Sequence, residues 1–166
     1  LCAGKKDIVI ISSDHTRPVP SRVTMPILLH HIHAAAPEAR VRILVATGMH
    51  RPSTHEELVN KYGADIVANE EIVMHVATDD SMMKKIGTLP SGGECIINKI
   101  AADCDLLLAE GFIEPHFFAG FSGSRKSVLP GIASYKTIMY NHNGQFVNDS
   151  HSRAGNLCHN HVNEDM

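Results

Sequence analysis

The residues best equipped for chemistry lie in one run, EPHFFAGFSGSRKSVLPG, from Glu114 to Gly131. It gathers His116, Ser122, Arg125 and Lys126 among Gly120, Gly123 and Gly131. Glycines let a backbone approach a ligand closely, and successive N–H groups in such a loop cradle an anion. The run comes near a phosphate-binding P-loop. GxxxxGK[ST], however, requires glycine where Arg125 stands, and Pro-His-Phe-Phe replaces the strand that would enter the first glycine. A Gly/Ser-rich surface loop with two solvated basic residues has the same composition. Phe117, Phe118 and Phe121, three of the five phenylalanines, favour a loop packed against the body of the protein. A packed loop carrying His116, Arg125 and Lys126 needs a counter-group.

Two shorter turns carry a second set of reactive side chains. In Asp14-His15-Thr16-Arg17, Arg17 is suited to a forked contact with a carboxylate or phosphate, and Asp14 to orienting a neighbour. Thr47-Gly48-Met49-His50-Arg51-Pro52 presents His50. Both also read as ordinary turns that prepare the following helix. His142, in Asn141-His142-Asn143, stands beyond a helical stretch; imidazole is a preferred donor to nickel, copper and zinc, although an isolated histidine is more often structural. His30, His31 and His33 fall on one helix at a spacing that cannot bring all three to one metal.

These positions must be held by regular elements. Asp7–Ser12 (DIVIIS), Val41–Ala46 and Asp105–Ala109 (DLLLA) read as buried strands, with Ile72–Ala77 a further one. Ser21 is placed as the N-cap of a helix to about Ala36, with Val23, Ile27 and the Leu28–Ile32 region inward and Pro37 closing it. Ser53 with Glu56 forms a capping box, and Cys95–Ala102 reads as a helix bearing Ile96, Ile97 and Ile100. Strand, polar turn and helix recur, which predicts an α/β fold: an open, mainly parallel Rossmann-like sheet with flanking helices. Ligands of such sheets collect beyond the carboxyl ends of the strands, where Asp14, Arg17, His50 and His116 all fall.

Composition narrows the function. The 166 residues are 43% apolar and 20% charged, with a net charge of −3 and scattered basic residues, so neither a nucleic-acid footprint nor a membrane-binding face is expected. No apolar run approaches the roughly 18 residues of a membrane span. Cys2, Cys95, Cys104 and Cys158 lack CxxC spacing, which fits a reducing cytoplasm better than a zinc knuckle or a disulfide framework. The chain starts close to its first strand without Met, and its last residues Asn163–Met166 read as having no closing element. The expectation is therefore one cofactor-binding domain over residues 1–166, truncated at both ends.

Taken in order, Asp14-His-Thr-Arg17, Gly48-Met-His50-Arg51-Pro52, the Glu114–Gly131 run and His142 resemble the amino-terminal domain of the lactate racemase family, the nickel-pincer-nucleotide enzymes. The likeness covers nearly the whole chain. It implies racemisation or epimerisation of a 2-hydroxy acid, lactate by default, by reversible hydride transfer. The cofactor would be a nickel-pincer nucleotide attached covalently through Lys126, built by dedicated biosynthesis proteins and held by Ser122, Gly123 and Arg125. His142 matches the nickel ligand, His50 and His116 the two acid–base histidines, and Asp14 and Arg17 the substrate-binding pair. The family's carboxy-terminal domain is absent, so this fragment alone should be inactive. One departure is Ser124, where the family commonly has a second glycine. A non-catalytic nucleotide- or metal-binding domain is the alternative, and a P-loop-like phosphotransferase the more remote one.

Overall fold

The computed structural model describes every residue from Leu1 to Met166. It opens with strand β1 (Asp7–Ser13), helix α1 (Ser21–Ala35), β2 (Arg40–Ala46), the short helices α2 (His55–Tyr62) and α3 (Ala64–Asn69), and β3 (Glu71–Met74). An antiparallel hairpin, β4 (Met83–Thr88) and β5 (Glu94–Asn98), leads through α4 (Lys99–Asp103) to β6 (Leu106–Ala109). The main sheet has the order β3-β2-β1-β6 with every pairing parallel. This is the α/β sheet expected from the alternation of strand and helix.

Ile8, Val9, Ile10 and Ile11 explain why β1 is central. All four are essentially inaccessible, because both faces of the strand are covered. Ile8 and Ile10 pack with Met25, Leu29 and Ile32 of α1, whereas Val9 and Ile11 pack with Ala101 and Ile132 on the other face. Each such side chain contributes roughly 1.5–3 kcal/mol of burial free energy.

The sheet corrects several boundaries. Helix α1 begins at Ser21 with Pro20 in the capping position, so Ser21 is not the cap. Its inner face is Ser21, Met25, Leu29 and Ile32, while Val23 and Ile27 are 63% and 57% exposed. The stripe runs i, i+4, i+8, and Val23 and Ile27 lie off it. The capping box before α2 is Thr54 with Glu57, one residue beyond the expected pair; Ser53 Oγ instead meets His15 Nδ1 at 3.0 Å. Strand β3 stops at Met74, and His75 turns inward to Ala133 O at 3.0 Å. The helix expected over Cys95–Ala102 is a strand for its first half. β-Branched Ile96 and Ile97 pair with β4, and Asn98 then caps α4 by accepting from the Ile100 amide.

The remaining chain closes over the carboxyl ends of the strands. A short hairpin of two-residue strands, β7 (Pro115–His116) and β8 (Gly120–Phe121), precedes a 3₁₀ turn over Ser124–Ser127. Helices α5 (Tyr135–Asn141), α6 (Gly144–Val147) and α7 (His161–Asp165) follow. Val162 of α7 is fully buried, so the last residues do form a packed element.

Candidate active site

The chain steps outward from β1 to β2 to β3, then returns to lay β6 on the other side of β1. That reversal opens a crevice beyond the carboxyl ends of β1 and β6. A cavity of about 390 Å³ lies there. The turn after β1 brings Asp14 and Arg17 to it, the turn after β2 brings His50, and β6 ends into it with Glu110. The Glu114–Gly131 run supplies His116, Ser122, Gly123 and Lys126, and His142 follows from the end of α5. Eight of the nine expected site residues therefore share one cavity. Arg125 does not. Its guanidinium donates to Asn163 Oδ1 at 2.6 Å, because the 3₁₀ turn points consecutive side chains in different directions and sends this one to α7.

Asp14 and His50 form a tight pair, with Nδ1 and Oδ2 2.6 Å apart. Asp14 is buried, which pushes its carboxyl up, yet hydrogen bonds from the Thr16 hydroxyl and amide and from His50 outweigh burial and hold it below the usual carboxylate range. An ionised carboxylate only accepts, so His50 carries its proton on Nδ1. Its Nε2 lone pair is left free for a ligand, the arrangement that suits a general base.

A second group centres on Phe118. The Lys126 ammonium lies over its ring at 5.6 Å, while His116 and His142 meet it edge-on with centroids 4.5 and 5.2 Å away. No carboxylate pairs with Lys126, and burial with the nearby Arg17 charge lowers its pKa to about 8. Burial, then the charges of Lys126 and Arg17, lower His116 to about 4. Burial, then Lys126 and His116, lower His142 to about 4. His116 Nδ1 accepts from the Ala119 amide at 3.2 Å, so neutral His116 carries its proton on Nε2, the reverse of His50.

The phenylalanines correct the sequence reading of the loop. Phe117 is 76% exposed, with one face stacked on His116 at 4.7 Å, and Phe121 is exposed too, so the inward packing that all three were expected to share falls mainly to Phe118. The loop is shaped by its backbone instead. Gly123 has φ +69°, and a Cβ there would stand 2.1 Å from Phe112 O. Ser124 follows in the left-handed region at φ +47°.

Two buried polar atoms of the site have no partner in the protein, Ser122 Oγ and His142 Nδ1. Native interiors seldom leave such atoms unsatisfied. No three His, Cys, Asp or Glu side chains converge to hold a metal.

Sequence reasoning missed Glu110. Its Oε1 accepts from Ser12 Oγ at 2.6 Å and from Ser21 Oγ, and its Oε2 accepts from Thr24 Oγ1 at 2.7 Å. The one signal was its position, the first polar residue after the apolar strand LLLA.

Fold and site together define an α/β domain whose cavity, at the switch point of a parallel sheet, combines a half-buried unpaired lysine with three histidines. The chain belongs to the lactate racemase N-terminal domain family, whose sequence model matches residues 1–155. It is 73% identical over all its 166 residues to a lactate racemase of Lactiplantibacillus plantarum and 55% identical to one of Thermoanaerobacterium thermosaccharolyticum. It spans 39% of the length of each. The lactate racemase apoprotein structure from the latter organism superimposes with a TM-score of 0.97 at 55% identity, over 99% of this chain and 40% of that one. A Thermotoga maritima protein matches with a TM-score of 0.83 over 98% of this chain and 42% of its own, and at 22% identity it carries the fold alone.

Proposed function

We propose that the chain is the cofactor-binding part of an enzyme that racemises or epimerises a 2-hydroxy acid, lactate by default. The observation that carries this reading is Lys126, a half-buried lysine without an acidic partner, sharing its cavity with the unsatisfied His142 Nδ1. A pKa near 8 leaves much of its amine unprotonated in mildly alkaline solution and hence available for a covalent bond.

The residues fit a nickel-pincer nucleotide tethered through Lys126. Ser122 and the Gly123 backbone offer contacts to its polar groups, and His142 offers its unsatisfied Nδ1 to the metal. When bound, such a group supplies a reversible hydride acceptor. Arg17 then holds the substrate carboxylate and keeps the reacting carbon in place. His50 takes the hydroxyl proton at Nε2, and Asp14 stabilises the imidazolium that results. His116, from a different loop, faces the same cavity for the opposite enantiomer; as found it offers Nε2–H as an acid, and it takes a hydroxyl proton only after the Ala119 amide releases Nδ1 and the ring exchanges tautomer. Two histidines in one cavity favour this reading over a mere cofactor carrier, which needs neither.

The partners of this reading are a small 2-hydroxy acid and the proteins that build the cofactor. No helix is long and apolar enough to cross a membrane. The four cysteines are all free, in keeping with a cytoplasmic enzyme. The test is the mass of tryptic peptides from full-length protein made with its cofactor-building partners. An adduct is expected on the peptide bearing Lys126, and Lys126→Ala should lose bound nickel. An unmodified Lys126 in fully active enzyme would overturn the tether.

A further inference from the structure

Arg17 and Asp14 lie in the loop of residues 14–20 between β1 and α1. Two of its seven residues, Pro18 and Pro20, have no amide to donate, and the bonds within it and to the start of α1 are few: Arg17 N to Asp14 O at 3.3 Å, the Thr16 bonds to Asp14, and Ser21 N to Val19 O at 2.8 Å. Something outside the loop must fix its ends. Ser12 precedes it and Ser21 follows it, and both hydroxyls donate to the same oxygen, Glu110 Oε1. Glu110 Oε2 accepts from Thr24, one turn further along α1.

Helix α1 needs a carboxylate there. It has no side-chain cap and no acidic residue in its first turn, since Pro20 occupies the capping position. The positive end of a helix dipole is stabilised by a nearby anion. Glu110 supplies one from just beyond the end of β6, 86 residues away from Thr24. Helix α2 backs the loop from its other side: Tyr62 donates to Ser12 Oγ at 2.8 Å, and the Lys61 ammonium reaches Ser13 Oγ at 3.3 Å and Arg17 O at 3.5 Å.

We infer that Glu110 is a positioning residue. By joining Ser12 to Ser21 it closes the base of the loop and so sets where Arg17 and Asp14 stand in the cavity. Loss of the clamp lets the loop drift, and small misplacements of a positioning group are costly in rate and binding. The role rests on the proposed reading of Arg17 as the carboxylate holder, but the clamp itself does not.

Two measurements on the full-length protein separate these points. Without substrate, hydrogen–deuterium exchange over residues 14–20 should accelerate at least severalfold in Glu110→Ala and in the double variant Ser21→Ala, Thr24→Ala. Exchange over β2 should stay unchanged. Glu110→Gln should keep most of the protection, because its oxygen still accepts from both serines and Thr24 can turn its hydroxyl to Pro20 O, 3.3 Å away. With cofactor, KM for lactate should rise on the order of tenfold in the alanine variants, with a smaller change in kcat. An unchanged loop in both variants overturns the clamp. So does equal acceleration over β2, which would make Glu110 a general stabiliser. A higher KM in Glu110→Ala alone, with loop protection intact, would instead make Glu110 a direct ligand contact. A loop that opens while KM stays at the wild-type value defeats the positioning role. Absence of racemisation in the unmodified protein counts against the proposed activity, and the exchange experiment still decides the clamp.

Discussion

Asp14 Oδ2 and His50 Nδ1 stand 2.6 Å apart although their residues are 36 positions apart in sequence, on turns that leave two adjacent parallel strands. The register of β1 against β2 pairs Ser13 with Ala46, which sets the two turns side by side. The pair fixes the tautomer of His50 and leaves Nε2 free. Asp14→Asn should keep the fold but admit the wrong tautomer, since the amide can donate as well as accept. With the loaded full-length enzyme, kcat should fall by about 10²-fold or more. Wild-type turnover in this variant would remove Asp14 from the acid–base machinery.

His116 and His50 should differ in where they carry their proton. Imidazole ¹⁵N shifts of full-length protein labelled at histidine, assigned with His50→Gln and His116→Gln, should report Nδ1–H for His50 and Nε2–H for His116 near neutral pH. The same tautomer on both would contradict the Ala119 contact.

Acid should weaken the cofactor-free protein through His116 and His142. Their pKa values fall from 6.5 to about 4 on folding, so below 6.5 the unfolded chain binds protons that the folded one refuses. Stability contributed by these groups is present above pH 6.5 and is lost as pH falls from there to about 4. Urea unfolding between those pH values should show the decline, and the double variant His116→Gln, His142→Gln should flatten it. An identical slope in that variant would assign the acid sensitivity elsewhere.

Ser124 occupies a backbone conformation that costs a residue with a Cβ about 1–2 kcal/mol. Ser124→Gly should raise stability by about 1 kcal/mol, after allowing for the greater freedom of glycine in the unfolded chain. It should also leave the tether at Lys126 intact. A destabilised variant in chemical denaturation would show that the serine side chain contributes more than its backbone costs.

Lys126 should react ahead of the exposed lysines. Reductive methylation followed across pH should show a midpoint near 8 for its peptide, well below the ordinary 10.5. A midpoint at the ordinary value would mean that Phe118 does not desolvate the amine.

The sequence by itself determined the four strands of the main sheet, because a β-branched run buried on both faces, such as Ile8–Ile11, suits a central strand, and it pointed to the turns that the structure gathers at one cavity. It misread Cys95–Ala102, where Ile96 and Ile97 suit a helix stripe and a strand equally until β4 is present to pair with them. It placed Arg125 beside Lys126 in function because they are neighbours in the chain, whereas the 3₁₀ turn sends their side chains to different places. Only the tertiary structure decided that Phe118 is the wall shared by Lys126, His116 and His142. It alone also decided that Glu110 holds the loop of Asp14 and Arg17, since contacts across 86 to 98 residues leave no local signal. Burial and pairing are properties of the assembled sheet, and with them came the lowered pKa of Lys126 and the opposite tautomers of the two histidines.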